Sequence, residues 1–227
     1  MGRSYDKCYK CKDSSSAILV RNISYCKPCF LEMIKLKILK QISACDMVLF
    51  SDNQLLISTL EQFHKNPHST TKIIIRPPLL PGESPKVPQG YTLVSDRCQS
   101  ELAVEAIRLT CTGNGNAISR VGNHTANGVN VVYPLAKVVL KEILYWHYLN
   151  GISYSRPLPK DGIELLVGKF INQMERDLSN TCSTIHSTAL KVKVSGNACS
   201  NCSFPIVIDN LMDYSDMCRA CSKHAVG

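Results

Sequence analysis

The stretch Asp46-Met47-Val48-Leu49-Phe50-Ser51-Asp52-Asn53-Gln54-Leu55-Leu56 decides the fold. Met47, Val48, Leu49 and Phe50 form an unbroken apolar run of strand length. Ser51, Asp52 and Asn53 are turn formers. Beyond them Leu55, Leu56, Thr59, Leu60 and Phe63 recur at helical spacing, which predicts a helix over 54–64. A fully apolar strand that turns at once into an amphipathic helix is the unit of a parallel sheet covered on both faces. It is also where nucleotide phosphates usually bind, because the helix N-terminus offers unpaired N–H groups.

The pattern repeats downstream. Residues 71–76, with three consecutive isoleucines, read as a second buried strand, and 77–90, with five prolines, as a surface loop. Residues 91–94 predict a third strand, followed by a helix capped by Ser95 or Asp96 and reaching about Cys111, with Leu102, Ala103, Ala106 and Ile107 inward. The Gly- and Asn-rich stretch 112–128 reads as a long mobile loop and 129–133 as a fourth strand. Pro134 suits a first helical turn and predicts a helix to about Leu149. After a turn over 151–159, another helix is expected over 161–178. This alternation predicts an α/β domain with a mostly parallel sheet over 42–190.

Cysteine pairs bracket that domain. Cys8-x-x-Cys11 and Cys26-x-x-Cys29 stand fourteen residues apart, and Cys199-x-x-Cys202 and Cys218-x-x-Cys221 fifteen. Eight of the twelve cysteines therefore fall into two sets, each able to surround one ion. Two zinc ions are the preferred reading, in an N-terminal module over 1–41 and a C-terminal one over 191–227, with an iron–sulfur cluster or disulfides as alternatives. Zinc on four thiolates typically contributes about 10–16 kcal/mol of apparent binding energy to folding, so such sites most often hold a fold and do no chemistry. Between the first two knuckles, 17–20 and 23–25 predict a hairpin. From Lys27 to about Gln41 the chain reads as a helix, with Phe30, Met33 or Ile34, and Ile38 on one side and lysines on another.

The net charge of +8 is concentrated at the start, where 1–40 carry nine Lys or Arg against Asp6, Asp13 and Glu32. A basic surface of this kind suits a polyanion such as RNA, with Lys10, Lys12, Arg21, Lys35 and Lys37 as candidate phosphate contacts; a solvated helix face is the plainer alternative. The polar opening residues do not read as a signal peptide, and no apolar run approaches the roughly 20 residues of a membrane span. A cytoplasmic, reducing location is the expectation, which makes the three glycosylation-type triplets at Asn22, Asn123 and Asn201 uninformative.

Several segments resemble the cytoplasmic tRNA 2-thiolation protein 2 family. They are Lys7-Cys8-x-x-Cys11, then 17–22, then Tyr25-Cys26-x-x-Cys29-Phe30; the proline-led segment Tyr133-Pro134-Leu135 running into Lys141-Glu142-Ile143; and 178–185 before the last cysteines. The resemblance implies an adenine-nucleotide-hydrolase-like (PP-loop) fold between the metal modules. It also implies a partnership with a catalytic tRNA thiolase that places sulfur on the wobble uridine of Lys, Glu and Gln tRNAs. The sulfur would come from a thiocarboxylated ubiquitin-related modifier.

Active PP-loop enzymes carry an SGGxDS-type turn whose glycines let backbone N–H groups close on pyrophosphate. Here the turn is Ser51-Asp52-Asn53, and a carboxylate at Asp52 would oppose a phosphate by about 1–4 kcal/mol at a few Å, depending on the local dielectric. The expectation is a degenerate nucleotide turn and a subunit without its own catalysis. Two alternatives stand beside it: a sulfurtransferase using Cys98 or Cys111, and a zinc-dependent protein adaptor with no RNA role. Cys45, Cys98, Cys111 and Cys182 fall outside the knuckles and read first as small core residues, although Cys98, near a helix start, is a candidate for a lowered pKa. His64 and His68 are four apart, but Pro67 between them makes a shared metal face on a helix a poor reading.

Overall fold

The structure is a computed structural model, and it describes residues 7–12, 18–42, 45–65, 71–79, 85–126, 128–153, 162–178, 180–192, 197–198 and 205–206. The chain begins with a hairpin, β1 (Ile18–Val20) and β2 (Ile23–Tyr25), paired Val20 to Ile23. Its two turn residues, Arg21 and Asn22, both have positive φ (48° and 62°), the conformation whose twist matches a two-residue hairpin. Helix α1 (Lys27–Leu39) follows, then β3 (Met47–Phe50), α2 (Gln54–His64), β4 (Ile73–Arg76), β5 (Thr92–Val94) and α3 (Gln99–Cys111). After a 3-10 helix (Gly115–Val121) come β6 (His124–Ala126), β7 (Val129–Val132), α4 (Leu140–Leu149), α5 (Gly162–Asp177) and α6 (Thr181–Ala189).

Five strands form one sheet in the order β4-β3-β5-β7-β6. The pairings of β3 with β4, β3 with β5 and β5 with β7 are parallel, and β6 closes one edge antiparallel to β7. The rows of the sheet assign its two faces. Leu49, Val94 and Val132 lie in register on one face, against Phe30, Ile34 and Ile38 of α1, Leu55, Leu56 and Leu60 of α2, and Ile143 of α4. Leu93 and Val131, one residue back, turn to the other face and pack with Leu102, Ala106 and Leu109 of α3, Val121, and Ala189 of α6. A third cluster, of Ala103, Val139, Val167, Ile171 and Cys182, holds α5 and α6 to α3. The hairpin is continuous with the first core, since Ile18 and Val20 are buried in it.

Three expectations are corrected. The helix after β5 does not start at Ser95 or Asp96: Cys98 is its N-cap residue, and Glu101 reaches back to accept the Cys98 N–H at 2.8 Å. Residues 95–97 stay extended, which leaves Asp96 free to meet another strand end. The helix expected from Pro134 begins only at Leu140, because residues 134–137 form a turn and the β-branched Val138 and Val139 run extended. Val138 O accepts the Gln99 N–H at 2.9 Å, and Glu142 accepts the Val139 N–H at 3.1 Å. The stretch read as a mobile loop over 112–128 holds the 3-10 helix and β6, anchored by buried Ala117, Ile118 and Val121. Helix α6 was missed altogether. Its Ser- and Thr-rich sequence hides Cys182, Ile185, His186 and Ala189, which fall at helical spacing along its inner side.

Glu142 is wholly buried and is held by Lys37 Nζ at 2.6 Å, a link between α4 and α1. Replacing Lys37 by Met would leave that carboxylate without its counter-charge, and the unfolding free energy should fall by about 3 kcal/mol. Urea unfolding of Lys37→Met against the parent chain measures this, and a change inside about 0.5 kcal/mol would show that solvent already neutralises Glu142. His147 and His186 are buried, and burial pushes both imidazoles below their usual range. The folded state therefore favours their neutral forms, so the stability they contribute is complete above about pH 6.5 and declines as the pH falls below it. A thermal midpoint that drops between pH 7 and 5, less steeply in His186→Gln, is the expected result.

Candidate metal centre and nucleotide turn

The first knuckle is a tight turn in which Lys12 N–H donates to Cys8 O at 2.9 Å, and it is tied to β2 by Tyr9 N–H donating to Ser24 O at 2.8 Å. The second knuckle is the start of α1. Cys26 is the N-cap residue in extended conformation and Pro28 occupies the first turn, where its missing N–H costs nothing. Hairpin and helix thereby bring the Sγ atoms of Cys8, Cys11, Cys26 and Cys29 all within 4.8 Å of one another, with Cys11 and Cys26 3.6 Å apart. Four sulfurs on a tetrahedron about 2.3 Å from one zinc-like ion stand about 3.8 Å apart, so the set fits a single ion. A cubane cluster puts an inorganic core between its cysteines and spreads them further.

The protonation chemistry agrees. At Cys8 burial opposes ionisation, but backbone hydrogen bonds at Cys11, Cys26 and Lys10 outweigh it and bring the thiol down to about 6. Cys29 is pushed up to about 12 by its hydrogen bond with Cys26 and by burial, with Cys11 and Cys8 adding to the effect. One thiolate forms readily and the last resists, because four negative sulfurs cannot coexist without a cation among them. Cys26 and Cys29 also sit at the positive end of the α1 dipole. Cys8→Ser should therefore abolish stoichiometric metal uptake by the full chain, measured by elemental analysis, and lower its thermal midpoint. A variant that keeps both its metal and its midpoint would show that the cluster does not hold the ion. Cys199, Cys202, Cys218 and Cys221 lie outside the described residues; two short paired strands, Asn197–Ala198 and Pro205–Ile206, stand on either side of the first two.

The Ser51-Asp52-Asn53 turn lies at the carboxyl end of β3 and is filled by its own side chains. Asn53 caps α2, its Oδ1 accepting the Leu56 N–H at 3.3 Å, while the Asn53 N–H donates to Ser51 Oγ at 3.0 Å. Ser51 Oγ in turn donates to Asp96 Oδ2, from the end of the neighbouring strand β5. Ser51 and Asn53 are buried, and Asp52 is exposed at the mouth. Two of the N–H groups at this turn, those of Asn53 and Leu56, are thus engaged by its own side chains, and two carboxylates, Asp52 and Asp96, stand at or beside it. The sequence showed the first carboxylate; the second was hidden because Asp96 read as a helix cap.

The basic residues separate by environment. Lys37 is committed to Glu142, and Arg21 Nη2 donates to Gln99 Oε1 at 2.6 Å. Lys10 pairs with exposed Glu32 at 2.5 Å, an arrangement worth little in water. Lys12 lies over the Tyr9 ring at 5.1 Å, and both it and Lys35 are exposed. Two of the thiols outside the knuckles, Cys98 and Cys182, are buried and held in the neutral form. Cys98 is buried and, contrary to the expectation of a lowered pKa, burial and the Glu101 charge push it well above the ordinary thiol range. Cys182 is pushed up to about 12 by burial and by Glu175. Cys111 is exposed and Cys45 half-buried. His68 lies outside the described residues, and His64 Nδ1 bonds Thr71 O at 2.8 Å. No helix among the described residues is long and apolar enough to cross a membrane.

No family model and no curated protein matches the sequence. Among solved structures, the fold is similar to that of the U34-tRNA thiolase NcsA from Methanococcus maripaludis, described with its [4Fe-4S] cluster. The TM-score is 0.67 at 14% identity, over 97% of this chain and 96% of that one. The α/β architecture with its mostly parallel five-stranded sheet is therefore of the PP-loop type.

Proposed function

We propose that this chain is a non-catalytic subunit of a complex that 2-thiolates the wobble uridine of cytosolic Lys, Glu and Gln tRNAs. The observation that carries the reading is the β3–α2 turn. A PP-loop fold keeps its architecture here while Ser51 and Asn53 engage two of the N–H groups at the turn and Asp52 and Asp96 add negative charge. Chemistry would then belong to a catalytic thiolase partner, with sulfur supplied by a thiocarboxylated ubiquitin-related modifier. A protein partner is supported by the outward side of α5, where Ile163, Leu166 and Phe170 are exposed at helical spacing. The metal in both four-cysteine sets is zinc on this reading, and the N-terminal ion acts by fixing the first knuckle, which carries Lys12, to the start of α1, which carries Lys35. These lysines would position tRNA through its phosphates without reading its sequence.

Two measurements test the proposal. The purified chain, alone or with a catalytic partner whose own PP-loop is inactivated, should release no AMP from ATP; release from either sample would make it an enzyme. Lys12→Glu with Lys35→Glu should weaken tRNA binding about tenfold or more at low salt and flatten its salt dependence. Unchanged affinity would leave a protein adaptor without an RNA role.

A further inference from the structure

A cleft of about 240 Å³ opens where the hairpin tip meets the starts of α3, α4 and α6, well along the chain from the Ser51 turn. Its wall includes the guanidinium of Arg21 and the side chain of Lys141. Arg21 makes no ion pair among the described residues. One of its nitrogens donates to the neutral Gln99 amide, and its Nε is buried without a hydrogen-bond partner. A half-buried cation whose direct hydrogen-bond partner is a neutral amide has room for an anion. Lys141 is exposed, with Nζ 5.8 Å from the Tyr145 ring centre. The acid in the wall, Glu175, is engaged at the start of α6, where its Oε2 accepts the Cys182 N–H at 2.8 Å. Two cations against one acid leave the cleft net positive, and the helix starts around it add to that sign.

One wall is aliphatic, from Val139, Leu140 and Leu144, the last 46% exposed, while Ser100 and Asn172 add polar groups to the lining. The space is about eight times the roughly 30 Å³ that a water molecule occupies in the liquid, far more than a lone oxyanion fills. An anionic group carrying an apolar body fits better than either part alone. We infer that the cleft binds a nucleotide unit, its phosphate between Arg21 and Lys141 and its sugar or base along the Val139–Leu144 wall. Under the RNA reading above the unit belongs to a strand, but the site itself does not rest on that reading, since a free mononucleotide offers the same chemistry. The strained hairpin turn then has a purpose, because positive φ at Arg21 is what carries its side chain to the head of α3.

The test uses the full chain and calorimetric titration with uridine 5′-monophosphate, uridine, inorganic phosphate and a short oligouridylate. Saturable binding of the monophosphate, at least tenfold tighter than uridine or inorganic phosphate, is expected. Arg21→Gln and Lys141→Ala should each weaken it about fivefold or more, while Lys65→Ala, outside the cleft, leaves it unchanged. An oligouridylate that binds tighter than the monophosphate identifies a strand as the source, and equal affinity identifies a free nucleotide. The inference is overturned if inorganic phosphate binds as tightly as the monophosphate, or if Lys141→Ala binds like the parent. Should Arg21→Gln fail to fold, Lys141→Ala decides alone, since its side chain holds nothing but a ring contact. If tRNA affinity falls with the Lys12 and Lys35 variants but not with Lys141→Ala, while Lys141→Ala weakens the monophosphate, the cleft takes a free nucleotide and the RNA reading stands apart from it.

Discussion

Four sulfurs within 4.8 Å of one another impose a constraint that propagates through the fold. They can be jointly ionised only around a cation, so the ion fixes the hairpin to the first turn of α1. Once α1 is fixed at that end, Phe30, Ile34 and Ile38 are laid across the sheet against Leu49 and Val94. Lys37, three turns along, then reaches the buried Glu142 of α4. The metal set, the buried helix side and the internal ion pair are successive points on one rigid element, and each depends on the one before it.

The β3–α2 turn is organised by its own side chains. A helix start with open N–H groups attracts phosphate; one capped by Asn53 and backed by Ser51 has fewer of them to offer. A cap of this kind is worth about 1 kcal/mol to the helix. Asp96, just beyond the next strand, accepts from Ser51 Oγ and brings a second carboxylate to the turn.

Much of this was legible in the residues. The apolar run at Met47–Phe50 and the helical spacing after Gln54 depend on burial alone, and both elements lie where the periodicity puts them. The cysteine spacing likewise announced a four-sulfur site, because knuckle geometry is local. What could not be read depends on contacts distant in sequence. Val138 and Val139 are extended because Val138 O serves the head of α3, forty residues earlier. Helix α6 forms because α3 offers it an apolar groove. Lys37 looked like a surface lysine on a basic helix until α4 placed a carboxylate beneath it.

That last point changes how the basic N-terminus should be understood. The five candidate cations among its nine are not one field but distinct kinds of group. Lys37 is internal and neutralised, Lys10 is paired at the surface, and Lys12 and Lys35 are open to solvent. Arg21 belongs to none of these, since it is drawn inward by a strained turn and meets an amide rather than an acid. Charge that a protein leaves uncompensated in a half-buried place is charge kept for a ligand, whereas charge left in water steers and positions. At the hairpin tip the fold thus holds a cation, Arg21, in a place set apart from the solvent-exposed lysines.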